Sequence, residues 1–302
     1  MTEKDKVFFH KPNLELFDSM GLMSVDMHYH TRYSDSYTTV RSLLKKAWKK
    51  RVGVAITDHN QIKGSLGAVH NTKEVTVIPG IEVSCIEGPH ILFYFYNTGE
   101  LEEFYQKHVK PYKQGNPYMS IRRKAGDVID AASDYNCIKC AAHPYGYTLV
   151  NSGLSKCVQK KYVEEDIFGK IDAMEAICGA MGRKHNRKAI DKLKETGKCF
   201  TGGTDGHTLL ELGHVVTSSY SHDIDSFLSS IVKKRNYVIG KETPMIPRTN
   251  ILPSLMSKHM RYAVPSIRIQ YAINKTRVAR VPMKVMEKGA SIRRRLKDLA
   301  KH

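Results

Sequence analysis

A chain of 302 residues, 41% hydrophobic and 26% charged, is long enough to bury a full core in one large domain or two ordinary ones. The opening MTEKDKVFFHKPNLELFD is charged and has no apolar centre, and no apolar run reaches spanning length. A secretory leader and a transmembrane segment are therefore not expected, and a reducing, cytoplasmic setting is. The formal charge of +18 is uneven: residues 241–302 carry 15 Lys or Arg against 3 Asp or Glu, two thirds of the excess.

In chain order, apolar and β-branched runs at 22–28, 53–57, 75–83, 90–96, 138–142, 171–177, 198–202 and 237–240 read as strands. Amphipathic stretches lie between them, such as VRSLLKKAWKKR from Val40 and HNRKAIDKLKETG from His185, the latter ending at a Gly suited to a helix C-cap. This alternation predicts an α/β fold with parallel strands and barrel-like spacing. The exception is 98–136, where helix, a Pro/Gly-interrupted turn and a second helix predict a small cap over the barrel mouth.

Five runs at strand candidates together supply His and carboxylate: DMHYHTRYSD, ITDHN and GGTDGHT carry both, PGIEVS a Glu and AAHPYG a His. In the first, His28 and His30 stand two apart, so an extended backbone sends both imidazoles to one side, where they can grip one ion. Asp35 follows a turn-prone stretch and can fold back to a neighbouring ion. In the second, Asp58 and His59 face opposite sides of a strand end. His59 is read as a ligand, and Asp58 as a carboxylate orienting a ligand imidazole through its other ring nitrogen, with Asp26 in a similar position beside the first pair. Glu82, between Ile81 and Val83, occupies a costly place for a carboxylate without a cation, and its two oxygens can bridge two ions. His90, which opens HILFYFYN, and His143, which follows IKCAA, can complete a third position. Asp205 and His207 repeat the spacing of the first pair after a Gly-Gly turn that allows close backbone approach.

The six cysteines include one close pair, Cys137 and Cys140, without a second Cys-x-x-Cys, and are expected to be buried reduced thiols rather than zinc ligands. The basic tail is read first as a solvated, partly helical segment on the body. The sharper reading is a contact surface for nucleic acid or another anionic surface such as membrane lipid.

The ordered set DMHYHTRYSD, ITDHN, PGIEVS, HILFYFY, AAHPY and GGTDGH resembles the PHP family, named for polymerase and histidinol phosphatase, over about residues 20–240. Within that family it is most similar to stand-alone metal-dependent phosphoesterases acting on nucleotides or oligonucleotide 5′ ends. The resemblance implies a distorted (β/α)7 TIM-like barrel between an N-terminal extension (1–19) and the basic tail (241–302), with 98–136 as a helical insertion. It implies two or three divalent ions at the strand ends, and places His28, His30, Asp35, His59, Glu82, His90, His143, Asp205 and His207 on the family's ligand positions. Two departures bear on the shape of the pocket: Ser36 and Tyr94 stand where the family usually has Gly.

Mixed nitrogen and oxygen donors suit Mn, Fe and Zn alike. Ions of this kind, roughly 3.5 to 4 Å apart, favour phosphate ester hydrolysis by a metal-bound water, without a side-chain nucleophile. No nucleophile elbow, Walker sequence or dinucleotide fingerprint points to other chemistry. Arg122, Arg123 or Arg183 could supply a cationic fork for the substrate, a phosphorylated small molecule or oligonucleotide. Competing readings are a small-metabolite phosphatase, for histidinol phosphate for example, and a non-enzymatic nucleic-acid-binding module in which the metals are structural.

Overall fold

The structure, a computed structural model, describes residues 6–146, 153–243, 260, 262–275 and 277. The chain starts with β1 (Val7–Phe8) and α1 (Leu14–Ser19), then alternates β2 (Met23–Tyr29), α2 (Val40–Lys50), β3 (Gly53–Ile56), α3 (Lys63–Asn71) and β4 (Val77–Ser84). A reversal leads into β5 (His90–Phe95), followed by α4 (Thr98–Phe104), α5 (Ala125–Ala131) and β6 (Cys137–Ala141). Short helices α6 (Leu154–Gln159) and α7 (Ile167–Lys170) precede β7 (Ala173–Cys178). Then come α8 (Arg183–Thr196), β8 (Cys199–Gly203), β9 (Val215–Ser219), α9 (Ile224–Val232) and β10 (Tyr237–Gly240). Among the described residues no helix is long and apolar enough to cross a membrane.

The ten strands of the described residues join one sheet in the spatial order β1, β10, β9, β2, β3, β4, β5, β6, β7, β8. The run from β2 to β8 curls into a half-closed barrel, the α/β, TIM-like class expected. Its free end returns to β2: Tyr29 bridges Gly206, and His30 N donates to Gly206 O at 2.9 Å. A glycine is required at this seam. A Cβ on Gly203 would lie 2.4 Å from His28 N and 2.5 Å from His28 Cβ, so β8 could not press against the strand end that carries the first His pair.

The strands are not all parallel, as the alternation suggested. β5 runs antiparallel to β4 and β6, and β9 antiparallel to β2 and β10. The five residues between β4 and β5 are too few for a crossover helix, so this connection can only be a hairpin. β9, the segment VVTSS, is not among the expected strands although its Val and Thr residues favour one. Its hydroxyls are buried and satisfied: Thr217 Oγ1 accepts from Gly202 N at 2.8 Å, and Ser218 Oγ pairs with Ser24 Oγ at 2.8 Å.

Local chemistry sets the helices. Thr39 Oγ1 caps the start of α2 by accepting from Ser42 N, and the helix buries Leu43, Leu44 and Ala47. Each leucine contributes roughly 1.5–3 kcal/mol by leaving water. Gly197 closes α8 with φ +62, as its place after the last helical turn predicted. The barrel interior holds Val25, Met27, Ala55, Ile78, Leu92, Tyr94, Cys140 and Ala173, and Phe227, Leu228 and Ile231 of α9 belong to the same apolar cluster. Both family departures have structural work: Tyr94 donates to Met27 O at 2.8 Å inside the barrel, and Ser36 Oγ donates to His207 O at 2.7 Å.

The 98–136 segment contains α4, a π turn at 105–109, a 3-10 turn at 110–112, and α5. Most of the tail lies outside the described residues, as do residues 1–5 of the N-terminal extension. The remainder of that extension carries β1, which pairs with β10. Residues 263–275 are helical, bury Ile269 and Ile273, and meet the 98–136 segment where Asn116 Nδ2 donates to Ser266 Oγ at 2.9 Å. All six cysteines are thiols. Cys140 is buried, and burial pushes the Cys137 thiol up to about 12.

Candidate metal centre

Strand side chains alternate between faces, so residues two apart on one strand share the barrel interior. On β4 the inward row runs Ile78, Gly80, Glu82, and on β7 it runs Ala173 then Glu175, passing from apolar filling to carboxylate toward the C-terminal end. β5 runs the other way. Its inward row begins with His90, which lies opposite Ser84 at the end of β4, so an antiparallel strand delivers its histidine from its first residue to the same rim.

Glu82 is the hub. Its Oε1 lies 3.0 Å from His90 Nδ1 and 3.1 Å from His143 Nε2. Its Oε2 lies 2.9 Å from His59 Nδ1, 3.4 Å from His30 Nε2 and 3.5 Å from His28 Nε2. Asp205 Oδ1 approaches His30 Nε2 at 3.1 Å and His28 Nε2 at 3.6 Å. Asp35 Oδ2 lies 3.0 Å from His207 Nε2 and 3.6 Å from His59 Nε2. All nine candidate ligands thus meet in one cluster, and four overlapping trios within it have donor atoms close enough to share an ion: His28, His30, Asp205; His28, Glu82, His143; His30, Asp35, His207; and His30, His59, Glu82.

The residues present fit divalent cations on three observations. Six carboxylates, Asp26, Asp35, Asp58, Glu82, Glu175 and Asp205, are under one-tenth exposed, and among the described residues none pairs with Lys or Arg. Buried charge of this density is costly without positive charge nearby. Glu82 Oε2, fully buried, receives no hydrogen bond of good geometry although three imidazoles approach it. His28 Nε2 and His30 Nε2 face each other at 3.2 Å, an arrangement that a shared cation would satisfy. Two candidate ligands, His143 with φ +27 and Asp205 with φ +50, sit in the left-handed region, where strain at functional sites concentrates.

In the cation-free protein the ring nitrogens carry the balancing charge. Burial drives His59 and His207 down, but neighbouring carboxylates outweigh it, Glu82 and Asp35 at His59 and Asp35 at His207, and lift both to about 9. His90 moves the other way, to about 4, because burial there exceeds the pull of Glu82. A ligand imidazole must be neutral, so ions bound there would displace protons from His59 and His207. Metal affinity, measured by competition with a chelator, is therefore expected to rise with pH and level off above about 9. An affinity flat from pH 6 to 9 would contradict this.

Asp58 and Asp26 do not touch imidazole rings as expected. Asp58 accepts from Thr31 N at 2.7 Å, Thr31 Oγ1 at 2.6 Å and Ser34 Oγ at 2.6 Å, so it fixes the 31–34 turn and reaches His30 only through Ser34. Asp26 accepts from Thr204 N at 2.9 Å, Thr204 Oγ1 at 2.7 Å and Gly213 N at 3.0 Å. It anchors the turn carrying Asp205, and burial lifts its pKa to about 6 against those bonds. The ordinary function of Asp in turns describes both better.

The carboxylate that touches a candidate ligand ring is Glu175, which the sequence reading does not include. Its Oε1 lies 3.1 Å from His28 Nδ1, and its Oε2 accepts from His143 N at 2.6 Å. A signal existed: Glu175 lies in AMEAIC, a carboxylate inside an apolar strand, as Glu82 does in GIEVS. An ionised carboxylate only accepts, so it fixes the proton on Nδ1 and leaves Nε2 of His28 free for a cation. Gln can donate to Nδ1 and stabilise the wrong tautomer. Glu175→Gln is expected to lower metal affinity or turnover about 10- to 100-fold, read by metal titration and kinetics with the melting temperature as the fold control.

The three arginines are engaged elsewhere or exposed. Arg183 forms a bidentate pair with Glu242 at 2.6 and 2.8 Å and stacks on Phe9 at 4.1 Å. Arg123 donates to Asp127 O at 2.9 Å and lies 4.9 Å over the Tyr112 ring, while Arg122 is exposed. The 98–136 segment does reach the rim. Asn60, next to His59, donates to Met119 O at 2.8 Å, and Lys113 Nζ donates to Asn60 O at 2.9 Å.

The family model for the PHP domain matches residues 26–239. An uncharacterized protein of Methanocaldococcus jannaschii is 40% identical over 80 residues, 22% of this chain and 47% of that protein. Among solved structures, Endonuclease Q in complex with a 27-mer duplex substrate bearing an abasic lesion superposes with a TM-score of 0.56 at 16% identity, over 73% of this chain and 60% of that one. A two-domain protein from Bacteroides vulgatus containing a predicted PHP-like metal-dependent phosphoesterase gives 0.53 at 13% identity, over 83% and 73%. The chain thus spans less than two thirds of the Methanocaldococcus protein and of Endonuclease Q, and at these identities the structural likenesses concern the fold.

Proposed function

The chain belongs to the PHP domain family, and from that premise we propose a metal-dependent phosphoesterase that hydrolyses phosphate esters of nucleotides or oligonucleotides with two or three divalent ions of the Mn, Fe or Zn type. The observation that carries this reading is the convergence of nine donor residues in one cluster with Glu82 at its hub, both of whose oxygens face imidazole nitrogens. Divalent ions held by such donors lower the pKa of water, neutralise phosphate oxygens and stabilise a leaving oxygen. The chain's part is to hold them. Glu82 links the His90 and His143 side to the His59 side, and Asp205 closes the His28 and His30 side. Glu175 sets the tautomer of His28, and Asp26 and Asp58 pin the two turns that bear Asp205 and Asp35.

The oligonucleotide end of the substrate range is supported by a fold neighbour whose structure holds a 27-mer duplex and by the net charge of +18, which favours polyanions. Six free thiols agree with a cytoplasmic setting. The test is phosphate release by protein loaded with Mn, Fe or Zn, on an aryl phosphate, mononucleotides, 3′,5′-bisphosphates, short oligonucleotides and histidinol phosphate. Metal-dependent turnover led by nucleotides or oligonucleotides is expected. A preference for histidinol phosphate, or no turnover with any metal, would overturn the reading.

A further inference from the structure

The loop between β2 and α2 contributes Asp35 to the cluster and is tied down along its length. Arg32 N donates to Thr38 O at 2.8 Å, Ser34 Oγ to Asp58 Oδ1 at 2.6 Å, Ser36 Oγ to His207 O at 2.7 Å and Thr38 Oγ1 to His207 O at 3.3 Å. Thr31, Ser34, Asp35, Ser36 and Thr38 all point inward and are buried. The residues left outside from 31 to 38 are an arginine and two tyrosines: Arg32, Tyr33 at 41% exposure and Tyr37 at 56%. Tyrosine rings of this size ordinarily bury most of their area, so two held outward on a fixed loop are positioned for contact. They flank the metal-ligand Asp35 at two residues on either side, within about 7.6 Å of its Cα along the chain.

Beside this loop, a cavity of about 510 Å³ opens against α2. Its floor is apolar, with Val40 and Leu44, and its walls carry Arg32, Tyr33, Arg41 and Asn71. Among the described lining residues there are two guanidinium groups and no carboxylate. Such a site suits a ligand that is planar in one part and anionic in another.

We propose that this outer face binds the nucleotide next to the bond being hydrolysed, with its phosphate against Arg32 and Arg41 and unpaired bases stacked on Tyr33 and Tyr37. The inference rests on the phosphoesterase reading and deepens it, naming single-stranded oligonucleotide as the substrate class. Stacking on a side chain requires a base whose ring face is open, which a paired duplex hides.

The test is fluorescence anisotropy of the metal-free protein with a fluorescein-labelled DNA strand of about 12 nucleotides, and with the same strand annealed to its complement. Tyr33→Leu/Tyr37→Leu keeps apolar bulk but removes the ring faces, and is expected to weaken single-strand binding by about tenfold or more. Tyr33→Phe/Tyr37→Phe keeps the faces and is expected to bind within about twofold of the parent. Arg32→Gln/Arg41→Gln is expected to flatten the salt dependence of binding. Leu and parent proteins binding alike, the Phe variant as weak as the Leu variant, or equal affinity for the duplex would overturn the inference. Because binding is read without turnover, its failure is separate from that of the function: hydrolysis with tyrosine-independent binding removes only this inference, and tyrosine-dependent binding without hydrolysis removes only the phosphoesterase.

Discussion

Glu82→Gln is expected to lower kcat/KM for phosphate ester hydrolysis by roughly 10³-fold or more, about 4 kcal/mol of transition-state stabilisation. The substitution is nearly isosteric, so it tests charge rather than packing. Glu82 is surrounded on Oε1 by His90 and His143 and on Oε2 by His28, His30 and His59. Burial works against its ionisation, but the imidazoles, His59 and His28 foremost, hold its pKa well below the usual range. An amide there cannot bridge two ions and leaves the five imidazoles without the carboxylate they share. His28→Ala and Asp205→Ala open the opposite side of the cluster and are expected to abolish aryl phosphate hydrolysis while circular dichroism and cooperative melting persist. Steady-state kinetics with metal content measured on the same preparation decide the matter, and full activity in any of the three variants would contradict a shared centre.

Removing the ions is expected to lower the melting temperature by on the order of 10 °C. A ligand at about 1,000 times its dissociation constant stabilises the folded state by roughly 4 kcal/mol, and each kcal/mol moves the midpoint of a domain this size by about 2–4 °C. The loss should depend on pH. His59 and His207, raised in the cation-free protein to about 9, pair as imidazolium with the buried carboxylates. Their folded values exceed the unfolded one of about 6.5, so their contribution is complete below about pH 6.5 and is lost as pH climbs through about 9. The stripped protein should therefore melt progressively lower between those limits, while the loaded protein, whose imidazoles are already neutral ligands, should not. Thermal melts of chelated and reloaded protein across that range provide the measurement. Parallel pH profiles would show that the imidazolium pairs do not hold the empty site.

Much of the candidate site was legible because the physical signal was local. His28 and His30 are two apart on one strand end, and Glu82 stands in an apolar strand that only a cation would make tolerable. His59 follows GVAI, a strand found at Gly53–Ile56, by three residues, and Gly197 ended its helix for backbone reasons that need no distant partner. Glu175, in AMEAIC, carries the same local signal as Glu82, and the sequence reading does not include it.

The remainder depended on segments far apart in the chain. Glu175 finds His28 across 147 residues, and Asp26 finds Thr204 across 178. Arg183, which a sequence reader can offer to a substrate, is taken by Glu242. The antiparallel course of β5 and β9 decided which end of each strand reaches the rim, and VVTSS is a strand because it pairs with β2 and β10, with Gly202 and Ser24 supplying partners for its hydroxyls. By itself the sequence determined the donor types, their spacing and the α/β class, since these follow from side-chain chemistry and short-range periodicity. Only the tertiary structure decided what each buried carboxylate holds, because an acceptor's partner is whichever donor the folded chain brings within about 3 Å.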